Sequence, residues 1–348
     1  MIQIITEKTA WNSAVKLAKH SDFYHTYCYH ELSKNENETP ILIKYKDEKS
    51  CVLLALLVKE IENTDYKDAR SVYGYTGVLY LSDKSNFDND NFREELNEYF
   101  LEQRIVSIFS RLHPYLEHQE DVLDGLGVIS SPGDVVFIDL LEPLEVQRQN
   151  YSRRLKTQVN KAQRLCTIIK GETDIHIQAF IDIYYENMQR VNANGSYFFD
   201  ELYFHQLMTC PYFETELSLV LCNETQEIIA GALFIKTDDI VHYHLSGIKE
   251  EYLGFNPIKL VIDRMRVKST NDGYKYLNLG GGRSCKQDSL FTFKSSFSKH
   301  YMPFKLWKFI VNEEAYEFLV NKQKQIEANV DFEIDKEFFP AYRRVLTS

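Results

Sequence analysis

Between Leu277 and Ser298 the chain reads LNLGGGRSCKQDSLFTFKSSFS. Three consecutive glycines, Gly280, Gly281 and Gly282, end a strand-like run, and Lys294 then stands alone among Phe291, Phe293 and Phe297. An ammonium in such a setting can stabilise an oxyanion or a leaving group. From spacing alone the same lysine also reads as a cover whose stem lies over the rings while its charge stays in water. The missing side chains at 280 to 282 let a ligand approach the backbone or permit positive φ, and a tight turn asks for the same residues. Asp288, on the loop between, can accept a proton from an amine or cap the helix that carries Lys294.

Other polar pairs recur at strand spacing. His242 and His244 lie two apart in HYHLSG and point to one face of their strand, as metal ligands can. No third ligand stands at a convincing spacing, so a hydrogen-bonded pair lining a cleft, or one packed against tyrosines, is the expectation, with no metal. Tyr73 with Tyr75, and Arg111 with His113, repeat the same-face pattern and suit ligand contact. From 148 to 171 the run RQNYSRRLKTQVNKAQRLCTIIKG holds seven basic residues and no acid. Arg153, Arg154 and Lys156 at its centre are the expected phosphate contacts, because guanidinium forks match phosphate oxygens. Arg190 and Tyr197 can extend that site.

The chain that positions these residues has 348 of them and a net charge of −11. That length exceeds what one core usually supports, so two domains are expected. An acidic chain does not coat nucleic acid, since affinity for a polyanion comes from neutralised phosphates, and DNA is excluded as a partner. A basic run on an acidic protein points instead to one particular anion. The six cysteines form no close pair and indicate neither a disulfide framework nor a zinc site. The longest apolar runs, such as CVLLALLV, are too short to cross a bilayer, and no signal segment opens the chain. The expected location is the cytoplasm.

Periodicity gives two similar halves. PILIKYK and CVLLALLVKE read as a hairpin, SVYGYTGVLYL as a third strand, NFREELNEYFLEQR as a helix and IVSIFS as a closing strand. LSLVLC and IIAGALFIK form the second hairpin, followed by IVHYHLS, a helix from Pro257 with Asn256 as its cap, and YKYLNL. Between the halves Ser152 caps a helix with Leu155, Val159 and Ala162 on its apolar side. The expected domains are 1–145 and 146–317, with 318–348 returning to the first.

HYHLSG, EEYLGFNP before a helix, and LNLGGG followed by DSLFTFKSSFS resemble the second domain of Fem-like acyltransferases of the GNAT superfamily; YGYTG and FSRLHP resemble the first. SRRLKTQVNKAQR and NMQRVNANGSYFF match the connecting region. The resemblance implies an α/β fold of tandem GNAT-like domains with mixed, mostly antiparallel sheets, a substrate groove along their interface, and a place for Lys294 near the transferred group. The long charged helical pair of glycine-bridge members is not readable here. The Arg/Gln-x-x-Gly-x-Gly/Ala phosphate loop of ordinary acetyltransferases is also lacking, so acyl-CoA and aminoacyl-tRNA stand as alternative co-substrates, with no tightly bound cofactor. The implied reaction is N-acyl transfer to an amine of a phosphorylated cell-envelope sugar or muropeptide precursor, small or lipid-linked, which admits peripheral membrane contact and charged tRNA as a partner. Aminoacyl-tRNA-dependent peptidyl transfer in peptidoglycan bridge synthesis, and an inactive sugar-phosphate or peptide binding module, are the alternatives. No covalent enzyme intermediate is expected, because no Ser or Cys sits in a recognisable triad.

Overall fold

The computed structural model describes residues 1–48, 50–81, 87, 89–283, 286–327 and 338–344. Of the six cysteines, Cys285 lies outside them. The chain forms two compact units, 1–132 with 304–348, and 133–303.

In the first unit the elements are β1 (Ile2–Ile5), α1 (Lys8–Val15), α2 (Tyr27–Ser33), β2 (Glu38–Lys46), β3 (Cys51–Glu60), β4 (Lys67–Arg70), β5 (Val78–Tyr80), α3 (Asn89–Glu102), β6 (Ile105–Arg111) and α4 (Gln119–Leu123). Strand β7 (Val128–Asp139) leads into the second unit. There follow α5 (Leu144–Gln149), α6 (Arg153–Leu165), β8 (Cys166–Gly171), α7 (Asp174–Arg190), α8 (Glu201–Thr209), β9 (Glu214–Cys222), β10 (Ile228–Thr237), β11 (Ile240–Ile248), α9 (Pro257–Asn271), β12 (Tyr276–Gly280) and α10 (Ser289–Ser295). Strand β13 (His300–Ile310) and α11 (Glu313–Glu327) return the chain to the first unit.

Within the first unit the strand order is β1-β2-β3-β4-β6-β13, with β5 on β3; within the second it is β8-β9-β10-β11-β12-β7. Position for position the two orders agree, down to the parallel neighbours: β4 with β6, and β11 with β12. Each order includes a strand supplied out of turn. The strand after β6 pairs with β12, and the strand after β12 pairs with β6. The chain therefore changes unit inside β7 and β13, earlier than the boundaries at 145 and 317 read from periodicity, which marks strands but not their neighbours.

SVYGYTGVLYL is not one strand. Gly74 and Gly77 take φ of 122° and 61°, which break the extended run, and only Val78–Tyr80 pairs. The third strand is instead Lys67–Arg70, KDAR, in which half-buried Arg70 pairs with buried Glu38, and buried Asp68 with half-buried Arg343. Ser152 caps α6 as expected, its Oγ accepting from Leu155 N at 3.2 Å, with Leu155, Val159 and Ala162 in the core. Asn256 stands at the start of α9 in left-handed backbone, and its side chain caps no helix amide.

Behind α6 the core is stitched by one carboxylate. Asp263 of α9 accepts from Tyr151 Oη at 2.9 Å, Arg148 Nη1 at 3.1 Å and Arg266 Nη2 at 3.1 Å. Arg148, first of the basic run, is thus half-buried and tied to this carboxylate, with its other nitrogen on Asn160 Oδ1. Arg266 also donates to Leu144 O and Gln147 Oε1, so removing the carboxylate strands a buried guanidinium. Asp263→Ala should lose about 3–5 kcal/mol, read as a lower urea midpoint at unchanged m value; Asp263→Asn, which keeps an acceptor, should lose less.

Candidate active site

Strands β11 and β12 run parallel through the pairs Ile240 with Tyr276, Val241 with Leu277 and His242 with Asn278, and there the pairing stops. Both strands continue. Against β10 the register skips His244, and against β7 it skips Leu279. Two bulges therefore follow directly on the last parallel pair, and bulged strands bend and twist away from a ladder. Among the described residues, β11 beyond His242 forms no further ladder pair with β12.

The end of β12 is tied by side chains. Asn278 Oδ1 accepts from Gly280 N at 2.9 Å, and Asn278 Nδ2 lies 3.1 Å from His242 Nδ1. Gly280 has φ of 74°, which favours glycine. A Cβ on Gly281 would stand 2.9 Å from Asp134 O, and one on Gly282 would stand 2.0 Å from Lys286 O. Each glycine is thus required by the protein's own backbone, and Gly281 meets β7 where a close ligand approach was expected. The turn aims the Gly281 carbonyl at Lys294, whose Nζ donates to it at 2.7 Å.

Lys294 is 8% exposed, so its ammonium is inside the protein and not held out in water over the rings. Burial pulls its pKa down to about 8, opposed in part by the Asp288 charge. Asp288 caps α10, accepting from Phe291 N at 2.9 Å, and also accepts from Arg283 N at 3.3 Å. Burial raises its carboxyl, but these backbone donors and the Arg283 charge outweigh that and hold it below the usual range. A carboxylate so stabilised is a poor base, so Asp288 positions the lysine helix.

His242 and His244 have different partners. His244 Nε2 lies 2.9 Å from Tyr203 Oη, and Tyr203 stacks on Phe199 at 4.2 Å. Burial, then the neighbouring His242, lowers the His244 pKa to about 3, so its ring is neutral in ordinary buffers.

The basic surface of α6 meets the start of α9. Arg153 and Arg154 are exposed, Lys156 Nζ donates to Gln149 O, and Lys161 Nζ donates to Gly254 O at 3.0 Å. Lys259 Nζ donates to Gln158 Oε1 and Asn256 Oδ1, and burial followed by the Arg154 charge lowers its pKa. The same amine lies 6.0 Å from the Phe293 ring, next to Lys294 in sequence. Arg190, exposed, holds Asn187, and Tyr197 is half-buried with its carbonyl accepting from Tyr184 Oη; neither is joined to the basic helix by a described contact.

In the first unit His113, Tyr75 and Tyr73 lie around Tyr24 and Asp22. His113 Nε2 donates to Asp22 Oδ2 at 2.6 Å, while His113 Nδ1 accepts from Tyr115 N. Gln119 Oε1 accepts from His113 N and Val78 N and occupies the space a Cβ on Gly77 would need, so YGYTG and the HP corner are clamped together. Tyr75 packs edge-on against Tyr24 and Phe304, and Tyr73, 43% exposed, accepts at its carbonyl from Tyr29 Oη. Both tyrosines stand on a loop, not on one strand face. Arg111 ends β6 over the Phe109 ring at 5.2 Å.

The residues that the sequence did not mark are Asn278, Asp22, Tyr203 and Lys259. Asn278 had a readable signal, a lone amide inside the apolar strand YLNL, which must be hydrogen-bonded if buried.

Residues 147–295 match the family model described as an acetyltransferase (GNAT) domain. Superposed on solved structures, the chain is similar to FemX with a TM-score of 0.69 at 13% identity, over 91% of this chain and 99% of that one. It is similar to the C-terminal domain of a protein described as a lysylphosphatidylglycerol synthetase from Agrobacterium fabrum, with a TM-score of 0.57 at 12% identity over 93% and 97% of the two chains. L-PGS from Bacillus licheniformis gives a TM-score of 0.57 at 11% identity over 91% and 96%. None of the curated proteins matches in sequence. Residues 147–295 thus match a GNAT acetyltransferase domain, the chain is similar in fold to FemX over 91% of its length, and the α/β fold class read from the motifs holds.

A lysine whose pKa falls from 10.5 to about 8 on folding leaves the unfolded chain binding the proton more tightly between those values, so stability rises with pH across that window. Lys294→Met removes the buried charge. It should melt no lower than the parent at pH 7, with any advantage shrinking as pH rises through 8, while kcat falls about a hundred- to a thousand-fold and KM changes little. Normal turnover would make Lys294 a packing residue.

Proposed function

We propose that the protein is an N-acyltransferase that moves an activated acyl or aminoacyl group onto an amine of a phosphorylated cell-envelope sugar or muropeptide precursor. The observation that carries the reading is the parting of β11 from β12 beside a buried amine. The β11 backbone beyond His242, which forms no further described pair with β12, suits an extended donor chain lying along it, as a strand edge takes an added strand. Its carbonyl then lies towards the turn that holds Lys294.

Transfer forms a bond from the acceptor nitrogen to the acyl carbon, places charge on the carbonyl oxygen, and breaks the bond to the donor's sulfur or oxygen. Lys294 at neutral pH is mostly ammonium, since its pKa is about 8, and it donates to the oxyanion or protonates the leaving group. A general acid of this pKa also re-protonates readily between turnovers. No nucleophilic Ser or Cys is needed, because the amine attacks the donor directly. The exposed Arg153 and Arg154, with Lys161 and Lys259 at the start of α9, suit a phosphate of donor or acceptor.

Acyl-CoA is the donor that a GNAT domain favours. Aminoacyl-tRNA is the second reading, supported by a structural neighbour whose name describes lysylphosphatidylglycerol synthesis. Among the described residues no helix is long and apolar enough to cross a membrane, so a lipid-linked acceptor would be met at the surface of a cytoplasmic protein.

The donor that binds the native state should raise Tm, by about 2.7 kcal/mol of added stability at a hundred times Kd. Acetyl-CoA and a charged tRNA are the probes, and ribonuclease distinguishes them. Arg153→Ala with Arg154→Ala should weaken that stabilisation and flatten its salt dependence while leaving the melting of the free protein unchanged. Equal ligand response in parent and variant would reduce the basic helix to a solvated face. Activity that rises as pH passes 8 would make Lys294 a base instead of an acid.

A further inference from the structure

We infer that Cys166 and Cys222 form a redox modification site: opposed across β8 and β9, the two thiols close into a cross-strand disulfide when a low-molecular-weight disulfide oxidises the folded protein, with Cys222 the attacking group. The inference stands apart from the acyltransferase reading and does not depend on it.

No two cysteines are close in the chain, and the register of β8 on β9 brings this pair together. Cys166 lies directly opposite Cys222, with Thr167 opposite Leu221. The backbone hydrogen bonds identify the kind of pair. Asn223 N donates to Leu165 O at 2.9 Å, so the bonded position is the one before. Cys222 N donates to Glu227 O and Cys222 O accepts from Gln226 N, both in the turn towards β10, and Cys166 N donates to Ala162 O of α6. Bonded and non-bonded positions alternate along an antiparallel ladder, so this pair occupies a non-hydrogen-bonded position, where Cα atoms stand about 4.5 Å apart and side chains lie closest. A disulfide bridges Cα atoms about 4.4–6.8 Å apart. Directly opposed side chains share one face of the sheet, and both cysteines belong to one core cluster, at 4% and 2% exposure.

The two thiols are unequal. Cys222 ends β9 beside the exposed turn 223–226, and the backbone of Thr225, then its hydroxyl, hydrogen-bond the sulfur and lower its pKa. Burial, then the Cys222 charge, pushes the Cys166 thiol up to about 11. The Cys222 thiolate therefore attacks the small disulfide, forming a mixed disulfide and displacing one small thiol. Cys166 then attacks the Cys222 sulfur, and its proton leaves with the second small thiol. Two protein thiols and one small disulfide become one protein disulfide and two small thiols, with two electrons passed to the oxidant. The new bond fastens the C-terminal end of α6 to β9, where Asn223 already holds Leu165 O and, through Nδ2, Arg164 O.

The test incubates the full folded chain with glutathione disulfide, quenches it with an alkylating agent, and maps the cysteines by mass after digestion without reductant. The expected product is a linked Cys166–Cys222 peptide, two hydrogens lighter than the separate thiol peptides together, which dithiothreitol reopens. Cys166→Ala should stop with one glutathione on Cys222, and Cys222→Ala should leave Cys166 unmodified. The inference is overturned if the folded parent keeps both thiols free, if it holds glutathione on Cys222 without forming the link, or if the link forms only in urea. Glutathione on Cys166 in folded Cys222→Ala protein overturns the order of attack. The parent's products decide the matter even where a variant fails to fold.

Discussion

The parallel pair β11 and β12 ends after three residues, at His242 and Asn278, and the candidate site follows from that ending. Two parallel strands that part leave main-chain donors and acceptors that must find other partners or a ligand. On the β12 side the protein closes the account internally: Asn278 takes Gly280 N, and Lys294 donates to Gly281 O. On the β11 side the strand runs on to Ile248 with no further described pair to β12. The asymmetry leaves the β12 side closed by Asn278 and Lys294, while β11 carries His242 and His244.

The ionisable groups around that wall are held in defined states by burial. His244 is kept neutral, its pKa lowered to about 3 by desolvation and then by His242. Asp288 is kept ionised by the amides it caps. Lys294 is brought down to about 8, chiefly by desolvation. Groups whose environments push their pKa values apart mark acid and base assignments.

Much of this was legible in sequence, for reasons that differ by element. Hairpins β2–β3 and β9–β10 announce themselves by apolar runs around short polar turns, and α6 by Ser152 and its stripe. The internal repeat was readable because it lies in element order. The out-of-turn strands β7 and β13 were not, since periodicity reports how a strand is buried and never which strand it pairs with. KDAR escaped because its burial depends on Glu38 and Arg343, distant in sequence. Tyr73 and Tyr75 share a face only on an unbroken strand, whereas Gly74 and Gly77 adopt positive φ. Lys294 was found, but its burial was not: a lysine between phenylalanines has the same spacing whether its stem covers them or its amine lies beneath.

The identity of that residue as lysine, not arginine, follows from the same constraint. A guanidinium has five donors and cannot give up its proton, whereas at this position one described acceptor, the Gly281 carbonyl, lies within hydrogen-bond reach. Arginine would be left charged and undersatisfied at any pH. An amine satisfies that single carbonyl in either protonation state, because even the neutral form retains an N–H to donate. The corner built by three glycines can therefore hold the Lys294 nitrogen in one place while its proton comes and goes, a geometry that neither a surface lysine nor a buried arginine provides.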